Sequence, residues 1–169
     1  MKTIRSKVTY LQMFEPPKRP ALVPIEGACV IQARKPTIAF CRFLNDAVGG
    51  PWNWVDRKRL SDQELGVIVH DPNVETHVLY ADGTPAGFAE LDRRTAGQIE
   101  LAYFGLMPEF LGQGLGKYFL SWVVDRSWSY HPQRLWVHTC DLDHEAALSV
   151  YQKGGFEIYD EEVIDQAVL

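Results

Sequence analysis

Leu101-Ala-Tyr-Phe-Gly-Leu-Met-Pro-Glu-Phe-Leu-Gly-Gln-Gly-Leu-Gly-Lys-Tyr-Phe-Leu120 decides how the rest of the chain is arranged. It begins as an apolar, aromatic run typical of a buried strand, and Pro108 ends that run because proline has no amide hydrogen for a strand ladder. Three alternate glycines follow, Gly112, Gly114 and Gly116, and apolar residues then recur at helical spacing. The pattern predicts a strand, a glycine-rich turn and a helix.

This glycine-rich turn is suited to binding phosphate. Glycine lets backbone N–H groups approach a ligand closely, and the first turn of the following helix adds unpaired donors and the positive end of the helix dipole. The spacing is that of neither a Walker A loop nor the G-x-G-x-x-G dinucleotide fingerprint. The glycines alone leave a second interpretation open, a tight turn that only allows the helix and strand to pack closely.

Two segments, in order along the chain, resemble signatures of the GCN5-related N-acetyltransferase (GNAT) family. Pro108-Glu-Phe-Leu-Gly-Gln-Gly-Leu-Gly-Lys117 resembles its acetyl-CoA loop, P-x-x-[RQ]-x-x-G-x-G, although Leu111 stands where Arg or Gln is usual. Ala147-Leu-Ser-Val-Tyr-Gln-Lys-Gly-Gly-Phe156 resembles the second signature, A-x-x-x-Y-x-x-x-G-F. The resemblance covers residues 75–160 and implies an acetyl-CoA-dependent transferase domain.

The composition is that of one globular domain. The chain has 169 residues, of which 46% are hydrophobic and 23% are charged, and this length suits a single domain. The net charge of −5 argues against a nucleic-acid partner, which would need a basic stripe on the protein. It mildly favours a cationic partner such as an amine.

Targeting signals and cysteines lead to further expectations. Apolar runs fall short of the roughly 20 residues of a membrane helix, so we expect no membrane partner. The charged start of the chain lacks the apolar core of a signal peptide. Cys29, Cys41 and Cys140 have no metal-like spacing. We therefore expect reduced thiols, no metal and a cytoplasmic protein.

Short-range signals indicate the remaining architecture. Residues 1–27 are interpreted as an N-terminal strand and a proline-rich spacer packed on the domain, and residues 28–169 as the GNAT-like acetyltransferase domain. Ser61-Asp-Gln-Glu64 is a capping box that begins a helix, Asp82-Gly83 predicts a hairpin, and Asp143 is interpreted as a helix cap. We predict an α/β protein with a three-layer α/β/α GNAT-like fold and a mixed, largely antiparallel sheet.

Acetyl transfer to an amine calls for a base and for a proton donor to the leaving thiolate. Glu100 lies where many members of the resembled family carry a glutamate base, and Tyr151 matches their tyrosine proton donor. His138 is a rival base because its ordinary pKa of about 6.5 suits the task. Glu100 could instead pair with Arg134, and Tyr151 could only pack beneath Phe156.

The resemblance also implies a coenzyme site. One family strand pairs through its backbone with the pantetheine arm, and the glycine-rich turn holds the phosphates. The residues implied here are Phe104, Gly105, Leu106, Gly112, Gln113, Gly114, Leu115, Gly116, Lys117 and His144. His144 stands where an asparagine is usual, and imidazole can also donate a hydrogen bond.

The segment of residues 51–59 is a candidate for contacts with the acceptor. Trp52, Trp54 and Arg57 lie close together in it, and His138 joins them as a candidate substrate contact. The tryptophans could equally pack two helices together, because large aromatic side chains are mostly buried.

These observations predict an N-acetyltransferase that moves an acetyl group from acetyl-CoA, its co-substrate, to a primary amine by direct transfer in a ternary complex. A small-molecule amine is favoured over a protein tail because no acidic run marks a groove for a basic peptide. The alternative is a non-catalytic acyl-CoA-binding sensor or interaction domain. A homodimer is left open as an assembly.

Overall fold

A computed structural model describes residues 2–168 of the chain. The strands are β1 (Thr3–Met13), β2 (Ala28–Gln32), β3 (Val74–Ala81), β4 (Thr84–Asp92), β5 (Gln98–Leu106), β6 (Arg134–Cys140) and β7 (Glu157–Ala167), and the helices are α1 (Ile38–Gly49), α2 (Asp62–Val69), α3 (Leu115–Trp128) and α4 (Ala147–Lys153). The strands form one sheet in the order β2-β3-β4-β5-β6-β1-β7. Only the β5–β6 pair is parallel. The predicted mixed α/β fold is confirmed.

Helices cover both faces of this sheet. Neighbouring side chains on a strand point to opposite faces, so adjacent apolar residues pack against different helices. On β3, Val78 packs with Leu44 of α1, whereas Leu79 belongs to the larger core with Phe119 of α3 and Tyr151 of α4. Helix α2 lies beside α1 and contacts β3. The result is three layers, with the sheet between two pairs of helices.

Local signals in the sequence give the predicted local structures. Ser61 accepts from the backbone N–H of Glu64, and the Glu64 carboxylate accepts from the backbone N–H of Ser61, which completes the capping box of α2. Asp82 and Gly83 both have positive φ, 49° and 84°, as a two-residue type I′ turn requires. The hairpin of β3 and β4 follows from this turn.

The predicted N-terminal strand is present and lies inside the sheet. Strand β1 is hydrogen-bonded on both sides, antiparallel to β6 and to β7, and Val8 and Leu11 are only 2% and 0% exposed. Residues 3–13 thus form an interior strand of the same sheet as the later strands. Alternation identifies a strand but not its partners, and here those partners lie near the other end of the chain.

The parallel pair in the sheet separates after a short contact. Strands β5 and β6 are paired only at Gln98–Arg134, Ile99–Leu135 and Glu100–Trp136, whereas β5 continues to Leu106 beside β4 alone. An opening therefore forms between β5 and β6 on the carboxyl side of Glu100.

None of the helices within residues 2–168 is long and apolar enough to cross a membrane.

Candidate active site

A cavity of about 1160 Å³ occupies the opening between β5 and β6. Its walls are residues 100–106 of β5, the glycine-rich turn, the loop between β6 and α4, the start of α4 and the loop after α1. The volume exceeds the roughly 300–1,000 Å³ of ordinary small-molecule pockets. We call this space the main cavity, and it can hold a long ligand.

The glycine-rich turn forms one end of the main cavity. Gly112 and Gly114 have φ of 76° and 79°, a left-handed conformation that glycine adopts readily. Gly114 is the N-cap of α3 and offers no side-chain cap, and a Cβ at either glycine would meet nothing within 4 Å. The first turn of α3 therefore has no side-chain cap and has open space beside Gly112 and Gly114, as phosphate binding needs.

The turn residues do not all reach the main cavity with their side chains. Gly112, Gly114, Gly116 and Lys117 line it. Leu115 is 5% exposed and packs in the core, and the Gln113 side chain donates to the Glu109 carbonyl over 3.2 Å. Leu115 and Gln113 would therefore contact a coenzyme through their backbone and not through their side chains.

Strand β5 supplies the long wall of the main cavity. Phe104, Gly105 and Leu106 line it, and their edge opposite β4 has no strand partner. A Cβ on Gly105 would lie 2.5 Å from Val48 Cγ1, so glycine allows α1 to pack closely on this strand. An extended ligand arm can pair with the free edge in the way that a further strand would.

The two candidate bases are neighbours. Glu100 Oε1 lies 3.6 Å from His138 Nδ1, their side chains are 24% and 45% exposed, and both line the main cavity. Arg134 donates instead to Gln12, Gln98 and Tyr159. Glu100 is therefore not held by Arg134, and its carboxylate is placed where β5 and β6 begin to separate.

Tyr151 is both a core residue and a wall of the main cavity. Its side chain is 6% exposed, its ring lies edge-on to Phe156 at 5.9 Å between centroids, and Phe104 is 6.1 Å away. Burial raises the pKa of Tyr151 above its ordinary value, and the nearby Asp143 carboxylate adds to this effect. The phenol therefore keeps its proton at neutral pH, so packing and proton donation are compatible roles.

The loop after α1 forms one wall of the main cavity. The Trp52 ring lies edge-on to the His144 ring at 5.1 Å, and Asn53 Nδ2 donates to the Ala167 carbonyl over 3.0 Å. His144 Nδ1 accepts from the backbone N–H of Ala146 over 3.0 Å, which leaves Nε2 as the ring donor. Trp52, predicted for the acceptor, thus contacts His144, predicted for the coenzyme.

Asp143 has a different role from the one we predicted. Helix α4 begins at Ala147 with no side-chain cap, so the interpretation of Asp143 as its cap is wrong. Its carboxylate accepts from Trp54 Nε1 over 3.0 Å, from Thr139 Oγ1 over 2.8 Å and from the backbone N–H of Cys140 over 3.0 Å. Asp143 therefore holds Trp54 in place.

Trp54 packs at the same time as it lines the main cavity. A Cβ on Gly49 would lie 2.3 Å from its indole ring, and the indole is edge-on to Tyr103 at 5.2 Å and to Phe88 at 6.2 Å. The ring is held by α1, β4 and β5, so Trp54 packs between one helix and the sheet and not between two helices. Its place on the wall leaves acceptor binding as a further role.

Arg57 forms an ion pair that sequence reasoning missed. Its Nη2 lies 2.5 Å from Glu90 Oε1, with the two side chains 14% and 6% exposed, and its guanidinium carbon is 5.0 Å from the centre of the Tyr103 ring. Burial raises the pKa of the Glu90 carboxyl, and the Arg57 charge only partly opposes this shift. Arg57 borders both the main cavity and a second, smaller cavity.

The structure also bears on the expectation of no metal. Within residues 2–168, no group of three or more His, Cys, Asp or Glu side chains is arranged to hold a metal ion.

Comparison with protein families gives a match over most of the chain. The model of the family described as "Acetyltransferase (GNAT) family" matches residues 38–156. This range contains the glycine-rich turn, Glu100, His138, Asp143 and Tyr151. No curated protein matches the chain at a significant level.

Solved structures share the fold. A GCN5-related N-acetyltransferase from Sphaerobacter thermophilus superposes with a TM-score of 0.68 at 17% identity, over 97% of this chain and 51% of that one. An acetyltransferase from Bacillus subtilis in complex with CoA gives 0.59 at 16% identity, over 79% and 78% of the two chains.

An aminoglycoside acetyltransferase from an uncultured soil metagenomic sample, in complex with trehalose, gives a TM-score of 0.62 at 10% identity, over 76% of this chain and 88% of that one. The chain spans between 51% and 64% of the length of four of the matched structures, including the one from Sphaerobacter thermophilus. At these identities the likeness supports the fold.

Proposed function

The chain belongs to the acetyltransferase (GNAT) family, and we propose that it transfers an acetyl group from acetyl-CoA to a primary amine of a small molecule, directly and in a ternary complex. One observation carries this proposal. A single cavity brings together the open N-terminus of α3, the free edge of β5, Glu100 and Tyr151. These are the anion site, the extended groove and the acid–base groups that the reaction needs.

Acetyl-CoA fits the residues on the walls of the main cavity. The glycines at 112 and 114 leave room above the first turn of α3, where backbone N–H groups and Lys117 would hold phosphates. The free backbone edge at 104–106 would pair with the pantetheine arm, and His144 Nε2 is available as a further donor. When bound there, acetyl-CoA supplies an activated acyl group as a thioester.

Glu100 is the group that would accept the proton of the amine. An amine attacks only through its neutral form, so a nearby carboxylate that receives its proton, directly or through water, favours reaction. His138, 3.6 Å from Glu100, can take part in the same proton path. Their position where the strands separate favours a role for both, with Glu100 as the base.

The Tyr151 hydroxyl would donate to the sulfur that leaves. Its raised pKa keeps the proton on the phenol, and a buried donor interacts more strongly with a developing negative charge than an exposed donor does. The rings of Phe104 and Phe156 pack around the same phenol and hold its position.

Two measurements test the proposal. Calorimetry should show binding of acetyl-CoA and of CoA, and a thiol-release assay over polyamines, aminoglycosides and amino acid amides should show turnover with at least one amine class. Absence of coenzyme binding by a folded protein would overturn the assignment of the cavity. Binding without thiol release over the whole panel would favour the acyl-CoA-binding sensor.

A small molecule is the favoured acceptor because the loop after α1 forms a wall of the main cavity and is held there by bonds to Ala167 and Asp143. The location we propose is the cytoplasm, which is supported by three free cysteines, because such thiols persist in reducing compartments.

A further inference from the structure

A second cavity of about 300 Å³ lies between α1, α2 and strands β3 to β5. Leu44, Leu65, Val69 and Phe88 give it an apolar surface. Its volume is at the lower end of the roughly 300–1,000 Å³ that small-molecule sites occupy, so it suits one small group. We call it the α1–α2 pocket.

Two buried polar atoms at this pocket have no partner. Asn45 is 5% exposed, and its Nδ2 donates to the Trp54 carbonyl over 3.3 Å, which fixes the orientation of the amide. Its Oδ1 is buried without a hydrogen bond, as is Nη1 of Arg57, whose Nη2 donates to Glu90. Buried polar groups are nearly always paired. Both residues line the α1–α2 pocket, so its wall contains one acceptor and one donor that lack a hydrogen-bond partner.

The charges around the pocket cancel. Arg57 pairs with Glu90, Lys58 Nζ lies 3.1 Å from Asp46 Oδ1, and Arg42 Nη2 lies 2.7 Å from Asp62 Oδ1. Every charged side chain on the lining therefore already has a partner of opposite charge. A charged group entering this apolar space would lose its hydration without gaining a counter-ion.

We propose that the α1–α2 pocket is a specificity subsite that binds an uncharged carboxamide carried on a short aliphatic group of the acceptor. The amide N–H donates to Asn45 Oδ1, and the amide oxygen accepts from Arg57 Nη1. The inference rests on the proposed function, and the pocket adjoins the main cavity because Arg57 and Tyr103 line both. The acceptor is then an amine at one end and a neutral amide at the other.

A matched set of small probes tests the pocket without catalysis. Isovaleramide and isovalerate share one carbon skeleton, as do isoamyl alcohol and isoamylamine, so each pair differs mainly in charge. Ligand titrations followed by protein NMR should give at least tenfold tighter binding for isovaleramide than for isovalerate or isoamylamine. The affinity of isoamyl alcohol should lie between those of isovaleramide and the charged probes, because its one hydroxyl replaces both the N–H donor and the carbonyl acceptor of the amide. Equal or tighter binding of a charged probe overturns the proposal.

A filled pocket should lose the probe. Cys41 lines the pocket and is half-buried, whereas Cys29 is exposed on β2 and lines neither cavity. Cys41→Leu should reduce isovaleramide binding by tenfold or more, and Cys29→Leu should leave it unchanged. Both variants should bind acetyl-CoA as the parent protein does. Unchanged isovaleramide affinity in Cys41→Leu would show that the probe binds elsewhere.

A charge placed at Asn45 should reverse the preference. Asn45→Asp keeps an acceptor oxygen but adds a negative charge. The affinity for the cationic isoamylamine should therefore rise relative to that for isovaleramide in this variant. The change also removes the bond to the Trp54 carbonyl, and thermal unfolding measures that cost separately. If Asn45→Asp does not fold, the probe series on the parent protein still decides the proposal.

Turnover separates this inference from the proposed function. Amino amides of increasing chain length should be acetylated with a lower KM than the amino acids of the same length, and Cys41→Leu should raise KM for the amides without changing kcat. Isovaleramide binding without any turnover would overturn the proposed function and keep the pocket. Turnover with equal KM for amides and acids would overturn the pocket alone.

Discussion

Trp54 Nε1 donates a hydrogen bond to Asp143 Oδ1 over 3.0 Å, joining two residues 89 positions apart in the sequence. Trp54 belongs to the loop after α1, and Asp143 to the loop that leads from β6 to α4. The bond therefore ties together two walls of the main cavity that belong to different parts of the sheet. It gives the aromatic wall a fixed position beside Tyr103 and Phe88.

A double-mutant cycle should show that this bond couples the two loops. Trp54→Phe removes the indole donor and keeps an aromatic ring, and Asp143→Ala removes the acceptor. A hydrogen bond to a charged group contributes about 1.5–3 kcal/mol, so the double variant should be less destabilised than the sum of the single ones by roughly that amount. Urea unfolding measures the three free energies. Additivity within about 0.5 kcal/mol would mean that the two residues act independently.

Gly114→Val should abolish acetyl-CoA binding while the protein stays folded. Gly114 has φ of 79° and open space above it, so valine would strain the backbone and place its methyl groups where phosphates are expected to bind. Gly83→Val is a matched control, because Gly83 has φ of 84°, has open space around it and lies in the β3–β4 turn. Calorimetry should show full coenzyme affinity for Gly83→Val only. Unchanged affinity in Gly114→Val would disprove the turn as the phosphate site.

Acid should destabilise the protein through Glu75, away from the main cavity. Burial raises the pKa of this carboxyl, but hydrogen bonds from His77, Tyr130 and Arg126 outweigh burial and lower the pKa from 4.5 to about 2. A group with a depressed folded-state pKa stabilises the fold above its unfolded pKa, and that stabilisation is lost as pH falls through the folded one.

The window for this effect is therefore between pH 4.5 and about 2. Unfolding free energies from urea titrations should fall steeply across that range in the parent protein. Glu75→Gln should be less stable at neutral pH and should show a shallower fall below pH 4.5, because the titrating carboxyl is gone. Parallel pH curves for the two proteins would assign the acid sensitivity to other groups.

Glu100→Gln should lower the rate of acetyl transfer by about 10²–10⁴-fold, the usual range for a general base. His138→Gln should have a smaller effect and change mainly the pH profile, because His138 is the more exposed neighbour of Glu100. Single-turnover kinetics with a good acceptor measure the transfer step itself. A larger loss in His138→Gln than in Glu100→Gln would reverse the assignment of the base.

The correct sequence predictions concern features whose cause is local. The capping box at Ser61, the Asp82-Gly83 turn and the glycines at 112 and 114 are visible in the sequence because their geometry depends on residues a few positions away. The two segments at 108–117 and 147–156 were sufficient to predict the family because each keeps its own spacing.

The features that sequence reasoning missed depend on distant partners. Strand β1 finds its neighbours in β6 and β7, Asp143 binds Trp54, and Arg57 pairs with Glu90. A carboxylate after a strand looks like a helix cap, and a basic loop looks solvated, until the fold brings the partner close. In each of these three cases the role depends on a partner that is distant in the sequence, and a short stretch of sequence does not show which partner the fold brings close.

Tyr151→Phe should lower turnover by about 10²–10⁴-fold, or roughly 3–5.5 kcal/mol of barrier at 1.36 kcal/mol per tenfold. The variant keeps the ring that packs on Phe156 and Phe104 and removes the one hydroxyl hydrogen. Its melting temperature and acetyl-CoA affinity should stay close to those of the parent protein.

Tyr118→Phe is the matched control, because Tyr118 packs on the same core from α3 without lining the main cavity. Its transfer rate should not change. The raised pKa of Tyr151 makes full proton transfer to a thiolate uphill, so its contribution depends on the hydrogen bond that forms as charge develops on sulfur. That bond should matter most for acyl donors whose thiols are poor leaving groups. A loss of less than about tenfold under single-turnover conditions would leave Tyr151 as a packing residue only.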